Sequence, residues 1–246
     1  MRRAFVPLTA LAALAMAVPA FAAESSPIGK KIDSFKAKDF YGKEVSLSDF
    51  KDAEVVVVTF LGTECPLAKL YAPVLQELST EFADKKVAFV GVDSNRQDNV
   101  TEIAHYARTH GVEFPILKDA GNVLADQFGA IRTPEVFVLD KDRVVRYWGR
   151  VDDQFGIQEN GVSYQRDEPN RRDLAEAVTE LLAGKEVSQA IARNSGCRIG
   201  RIREPQADSD VTYSNQIARI FNANCVACHR EGQIGPFTLT SYEDGA

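Results

Sequence analysis

From Asp52 onward the apolar positions follow two alternating periods. The run DAEVVVVTFL is almost continuously apolar and β-branched, the pattern of a strand covered on both faces. Behind it Leu67, Leu70, Tyr71, Val74, Leu75, Leu78 and Phe82 recur at helical spacing, which predicts a helix over 66–82 with one buried face. KVAFVGVD at 86–93 repeats the strand pattern, and 99–109 reads as a polar-faced helix closed by Gly111. EVFVLD at 135–140 and VVRYWG at 144–149 flank the turn Lys141-Asp142, as in a hairpin. A last helix is expected over 171–182, ended by Gly184. Strands separated by helices, with a closing hairpin, predict a mixed α/β sandwich over 27–184.

This periodicity fades in KEVSQAIARNSGCRIGRIREPQADSDV, so 185–211 reads as a linker. A short helix over 212–222 then leads into NCVACHREGQIGPFTLTSYEDGA, which ends the chain. The other end starts MRRAFVPLTALAALAMAVPAFAAESS: two arginines, an apolar run and Ala20-Phe21-Ala22. That is the order of a signal peptide cleaved after residue 22. The run is shorter than the ~20 apolar residues of a comfortable membrane span. The chain is therefore expected to be exported, to the periplasm of a bacterium, with no stable membrane span once the signal is gone.

Removing residues 1–22 takes two of the 29 basic residues and none of the 35 acidic ones, leaving a net charge of −8. An acidic exported chain is a poor partner for nucleic acid or anionic lipid. Removal also takes both methionines, Met1 and Met16.

Of the four cysteines, Cys65 stands where a buried strand turns into a helix, in GTECPLAKLYAP. A helix N-terminus carries roughly half a positive charge and free N–H groups, which favour thiolate over thiol. Pro66 suits the first helical turn. The alternative is a structural cysteine packed as a small hydrophobe. Arg132-Thr133-Pro134 directly precedes a strand, where proline belongs at the start or the edge.

Taken together, VVVTFLGTECPLAKLYAP, VAFVGVDSN, FPILKDAGNVLADQFGA and RTPEVFVLD resemble the thioredoxin superfamily, specifically its exported redoxin and peroxiredoxin-like members. The resemblance implies a three-layer thioredoxin-like sandwich with Cys65 as the reactive thiol. It also implies a cis bond before Pro134 beside Cys65, and a substrate dock on the backbone of Thr133. Arg132 would stabilise an anionic intermediate, and the partner would be an external thiol or disulfide, on a protein or a small molecule. The chain departs from that pattern at four places. Ala68 replaces the second cysteine of a Cys-x-x-Cys pair, and Thr59 replaces a buried carboxylate that moves the proton. Glu64 sets a charge against the thiolate, and Gly62 stands where peroxiredoxins carry threonine.

Cys225-Val226-Ala227-Cys228-His229 has the spacing of a c-type haem attachment site. Two thioethers would hold the porphyrin while the adjacent histidine reaches the iron. The rivals are a plain dithiol and a zinc site, the latter weak because zinc wants four ligands and Cys197 is the only further cysteine near in sequence. The segment 212–246 is accordingly read as a partial, α-helical cytochrome c segment carrying covalent haem c. Only 17 residues follow His229, and no methionine remains to act as a sixth ligand. The chain is thus expected to be a fragment, or to leave that position open or externally filled. His105 and His110, on the helix near 99–110, are no natural substitutes.

If haem takes Cys225 and Cys228, Cys197 is the one partner left for Cys65. The expected function is an exported thiol oxidoreductase, acting on a disulfide or peroxide through Cys65, with Cys197 as candidate resolving cysteine. The haem segment would connect it to an electron-transfer partner. The alternative is a non-enzymatic haem electron carrier in which the redoxin fold is a scaffold.

Overall fold

The computed structural model describes residues 26–158, 160–202, 208–235 and 237–245. The expected signal peptide, 1–22, lies outside the described residues. No described helix is long and apolar enough to cross a membrane. The chain divides after Ile202 into two compact units.

The first unit runs β1 (Lys36–Lys38), β2 (Glu44–Ser46), β3 (Val55–Leu61), α1 (Pro66–Glu81), β4 (Val87–Asp93), α2 (Val100–His110), β5 (Ile116–Lys118) and α3 (Val123–Phe128). It continues with β6 (Arg132–Thr133), β7 (Glu135–Leu139), β8 (Val145–Gly149), β9 (Phe155–Ile157), β10 (Ser163–Gln165), α4 (Asp173–Leu182), β11 (Ile191–Ala192) and β12 (Cys197–Arg198). Six strands form the central sheet in the order β11-β8-β7-β3-β4-β5. Strands β3, β4 and β5 are parallel, and β7 and β8 return antiparallel.

The alternation of β3 builds both faces of this sheet. Val55, Val57 and Leu61 pack with Leu75 and Leu78 of α1, Ile103 of α2 and Val178 of α4. Val56, Val58 and Phe60 pack on the other side with Leu124 and Phe128 of α3 and with Ile32, Phe35 and Leu47. All seven residues of β3 are buried, which explains why its sequence lacks a polar face. Asn99 caps α2 by accepting from the N–H groups of Thr101 and Glu102, and Gly111 ends it at φ +67°.

The expected linker over 185–211 is corrected here. Up to Ile202 the chain belongs to the first unit: β11 extends the central sheet beside β8, and β12 pairs antiparallel with β6. Ile199 is buried among Val92, Leu124 and Ala130. Backbone pairing holds this segment, so it needs no repeating apolar face. The hairpin β9–β10 also lies outside the strands expected from the sequence. Tyr71 ties α1 to it, donating through Oη to the Asp152 carboxylate (2.8 Å) and accepting from the Phe155 N–H (3.0 Å).

The second unit holds a π-helical turn (Tyr213–Ile217), α5 (Ala218–Asn224) and α6 (Tyr242–Gly245). Thr212 caps the first of these by accepting from the Asn215 N–H. None of its described residues is buried; Ile220, Ile234, Phe237 and Tyr242 are all exposed.

Candidate functional site

Strand β3 ends in the loop Gly62–Glu64, and Cys65 occupies the N-cap of α1 with Pro66 in the first turn. Cys65 is 4% exposed, and its Sγ donates to the Thr133 carbonyl at 2.9 Å. The Thr133–Pro134 bond is cis. Three of the residues singled out in the sequence therefore meet at one point.

Cys197 joins them. Strand β12 sets Cys197 opposite Thr133 and Arg198 opposite Arg132. Cys197 is exposed as a residue, while its thiol is turned in against the Cys65 thiol. Burial first, and then the hydrogen bond between the two thiols, push the Cys197 thiol up to about 11. Gly196 has to be glycine: its φ is +158°, and an added Cβ would collide with the Thr133 carbonyl oxygen. The chain continues as a stitched strap. Ile199 N–H donates to Ile131 O (3.0 Å), Gly200 N–H to Asn95 Oδ1 (2.9 Å) and Ile202 N–H to Asn122 Oδ1 (2.8 Å). Arg201 pairs with Asp126.

Two expectations change as a result. The backbone of Thr133, expected to dock a substrate, is already paired with the chain's own β12. Arg132 is drawn to the same place, since its Nη1 donates to the Gly196 carbonyl at 3.1 Å. Glu64 is not aimed at the thiol either, being exposed and 3.4 Å from Lys69. Ala68 is fully buried, and its carbonyl accepts from Tyr106 Oη at 2.7 Å.

Three buried acids support the site, and none of them stood out in the sequence. Glu135 is fully buried; its Oε2 accepts from the N–H groups of Ile131 (2.7 Å) and Arg132 (2.9 Å), and its Oε1 from Trp148 Nε1 (2.6 Å). It fixes the turn that presents Thr133 and Pro134, and burial raises its pKa. Behind the Cys65 loop, Asp93 and Asp98 are 1% and 2% exposed and meet carboxyl to carboxyl, a contact that needs a proton. Asp98 Oδ2 accepts from the Thr63 N–H (2.9 Å) and from Asn95 Nδ2 (3.1 Å). Lys118 Nζ lies 3.1 Å from Asp93 Oδ1. Burial, and next the hydrogen bond to Asp98, push Asp93 up to about 8 despite that lysine. Thr59, where a carboxylate was noted as missing, is fully buried and its hydroxyl finds no partner. A buried acid stands instead on the neighbouring strand, where Asp93 is paired in register with Leu61. Its one trace in the sequence is an acid at the end of an apolar run, VAFVGVD.

Residues 28–148 match the AhpC/TSA family. This stretch is a thioredoxin-like redoxin domain. The chain is 29% identical over 119 residues to the thiol-disulfide oxidoreductase ResA of Bacillus thuringiensis, covering 48% of this chain and 67% of that one. It is 29% identical over 126 residues to the chloroplastic peroxiredoxin Q of Oryza sativa, covering 48% and 57%. A hypothetical protein from Sinorhizobium meliloti has a similar crystal structure, with a TM-score of 0.64, 28% identity, and 72% of this chain and 96% of that one covered. The names of the two sequence relatives accord with the redoxin-type oxidoreductase expected from the sequence.

The haem-type motif lies in the second unit. Cys225 follows α5, and the N–H groups of Cys228 (3.1 Å) and His229 (2.9 Å) both donate to its carbonyl, closing one turn. His229 Nδ1 is 3.1 Å from the Phe237 carbonyl, which can only accept, so Nδ1 carries the proton and Nε2 keeps the lone pair. That is the tautomer a metal ligand needs. Cys225 and Cys228 are free thiols, and no group of three or more ligating side chains that would hold a bare metal ion occurs among the described residues. The residues present fit an attached haem.

The Asp93 shift predicts a pH dependence of stability. Its folded pKa is raised, so its contribution is complete below about pH 4, where both folded and unfolded chains hold the proton. The contribution is lost as pH rises toward about 8, the value in the fold. Thermal unfolding of Asp93→Asn over that range should show a flatter fall in Tm than the parent. An unchanged slope would mean that Asp93 is ionised throughout.

Proposed function

We propose that the redoxin domain is a thiol-disulfide oxidoreductase whose redox pair is Cys65 and Cys197, cycling between two thiols and one disulfide. The observation that carries this reading is the strand register placing Cys197 opposite Thr133, whose carbonyl receives the Cys65 thiol. Cys197 thus takes the part that Ala68 leaves vacant. Bound as a thiolate, Cys65 would lie at the positive end of the 16-residue helix α1. Arg132 positions β12, and Glu135 positions the Thr133–Pro134 turn. Disulfide exchange is favoured over peroxide reduction by Gly62, where a Cβ would collide with Asn95 Nδ2. A threonine hydroxyl of the peroxiredoxin kind has no room there. The relative ResA carries the name of the exchange reaction.

The second unit is proposed to bind haem c through thioethers to Cys225 and Cys228, with His229 Nε2 facing the iron. When bound, haem supplies one-electron transfer, which suits an electron-transfer partner in an exported, periplasmic setting. Exposed Ile220, Ile234 and Phe237 offer the apolar cover that such a group needs. The hydrogen bond from Nδ1 to Phe237 O orients the imidazole for that purpose.

Mild oxidation with diamide, followed by peptide mapping without reductant, should recover Cys65 linked to Cys197. Cys65 held as a mixed disulfide beside a free Cys197 would defeat the pairing. Expression with a cytochrome maturation system should yield haem that stays with the chain on a denaturing gel and is lost in Cys225→Ala. Haem extracted from the parent by acidified organic solvent would show that it is not covalent.

A further inference from the structure

The two sulfurs of the pair are unequally reachable. Cys65 is 4% exposed and is covered by Thr133 and by β12, while Cys197 is exposed. The edge of β6, where an extended partner would pair, is filled by β12 and held by the strap to Ile202. What remains open beside the pair is a groove of about 630 Å³. Its walls include Pro66, Leu67 and Leu70 of α1 with Ile157 and Tyr164 of the β9–β10 hairpin, and Cys197 lies in its lining. Cys65 does not line it, and none of its lining residues is charged at neutral pH.

We propose that Cys197 is the sulfur at which external thiols exchange with this chain, and that the groove receives the uncharged apolar group next to the incoming sulfur. This deepens the redox-pair reading and rests on it. In the disulfide state an external thiolate attacks Cys197 Sγ. A bond forms between the two sulfurs, the Cys65–Cys197 bond breaks, and its electron pair leaves on Cys65 at the N-terminus of α1. A second external thiolate then attacks the sulfur of the first: a bond forms between the two external sulfurs, the bond to Cys197 breaks, and its electron pair leaves on Cys197. The protons of the two external thiols end on Cys65 and Cys197. The external thiols are oxidised to one disulfide and the protein disulfide is reduced to two thiols. A charged thiol loses hydration on entering the apolar groove, whereas an uncharged one loses little.

The full chain is first oxidised, and its Cys65–Cys197 disulfide is verified by peptide mapping. It is then mixed with 2-phenylethanethiol and quenched with acid during the first turnover. The adduct is expected on the peptide containing Cys197, with Cys65 released as a free thiol. An adduct on Cys65 with Cys197 free overturns the proposal while leaving the redox pair intact. Failure to form the starting disulfide overturns the pair itself, and the proposal with it. Leu70→Glu changes a half-open wall of the groove, Leu70 being 41% exposed. It should slow reduction by 2-phenylethanethiol about tenfold relative to reduction by 2-mercaptoethanol, an uncharged thiol without the apolar group. Equal rates with parent and variant for both thiols would remove the groove from the account.

Discussion

The antiparallel pairing of residues 197–198 with 132–133 is the contact on which the rest of the site depends. Without it, Cys65 would be a single buried cysteine at a helix start, with no second sulfur and its docking edge open. With it, the chain supplies its own partner strand to Thr133 and its own second sulfur to Cys65. Gly196 makes the close approach sterically possible, and Arg132 holds its carbonyl. Asn95 and Asn122 anchor the segment that follows.

Such a contact needs a rigid floor, and buried polar groups provide it. Glu135 gathers the N–H groups of Ile131 and Arg132 from the turn before Pro134 and the indole N–H of Trp148 from β8. Asp98 does the same for Thr63 in the loop before Cys65. Burial, and next the hydrogen bond between the two carboxyls, push its neighbour Asp93 up to about 8. These acids are costly to bury, and they stand on the elements that have to present the thiol without moving.

Much of this fold could be read along the chain, because its central strands are buried on both sides and so have continuous β-branched sequences. Helix α2 was legible from Asn99 and Gly111, which do at its ends what those residue types do in general. Cys65-Pro66 and Thr133-Pro134 marked the site because each is tied to a local backbone event. The strap was not legible. Its hold is backbone pairing and one glycine, which leave no periodic trace, and its polar composition resembles that of a linker. The proposed pairing of Cys65 with Cys197 follows in the sequence only by elimination, if haem takes Cys225 and Cys228; the strand that sets Cys197 against Thr133 leaves no such trace. Asp93 and Asp98 sit five residues apart across a strand end and a loop, a spacing that carries no signal until the chain folds. In the second unit the motif was plain from the sequence. The tautomer of His229 depends on the Phe237 carbonyl, eight residues on, and only the fold supplies that contact.

The central claim is that residues 196–202 are a fixed part of the redoxin domain, held against Thr133 and Cys65. Residue-resolved amide hydrogen exchange in the reduced chain tests it directly, because no disulfide then holds the strap in place. The Ile199 and Gly200 amides, bonded to Ile131 O and Asn95 Oδ1, should exchange far more slowly than the amide of Ile234, a 90% exposed residue of the second unit. Exchange at Ile199 and Gly200 as fast as at Ile234 would show that the strap is not held there. The two cysteines would then lack the fixed contact that the account requires.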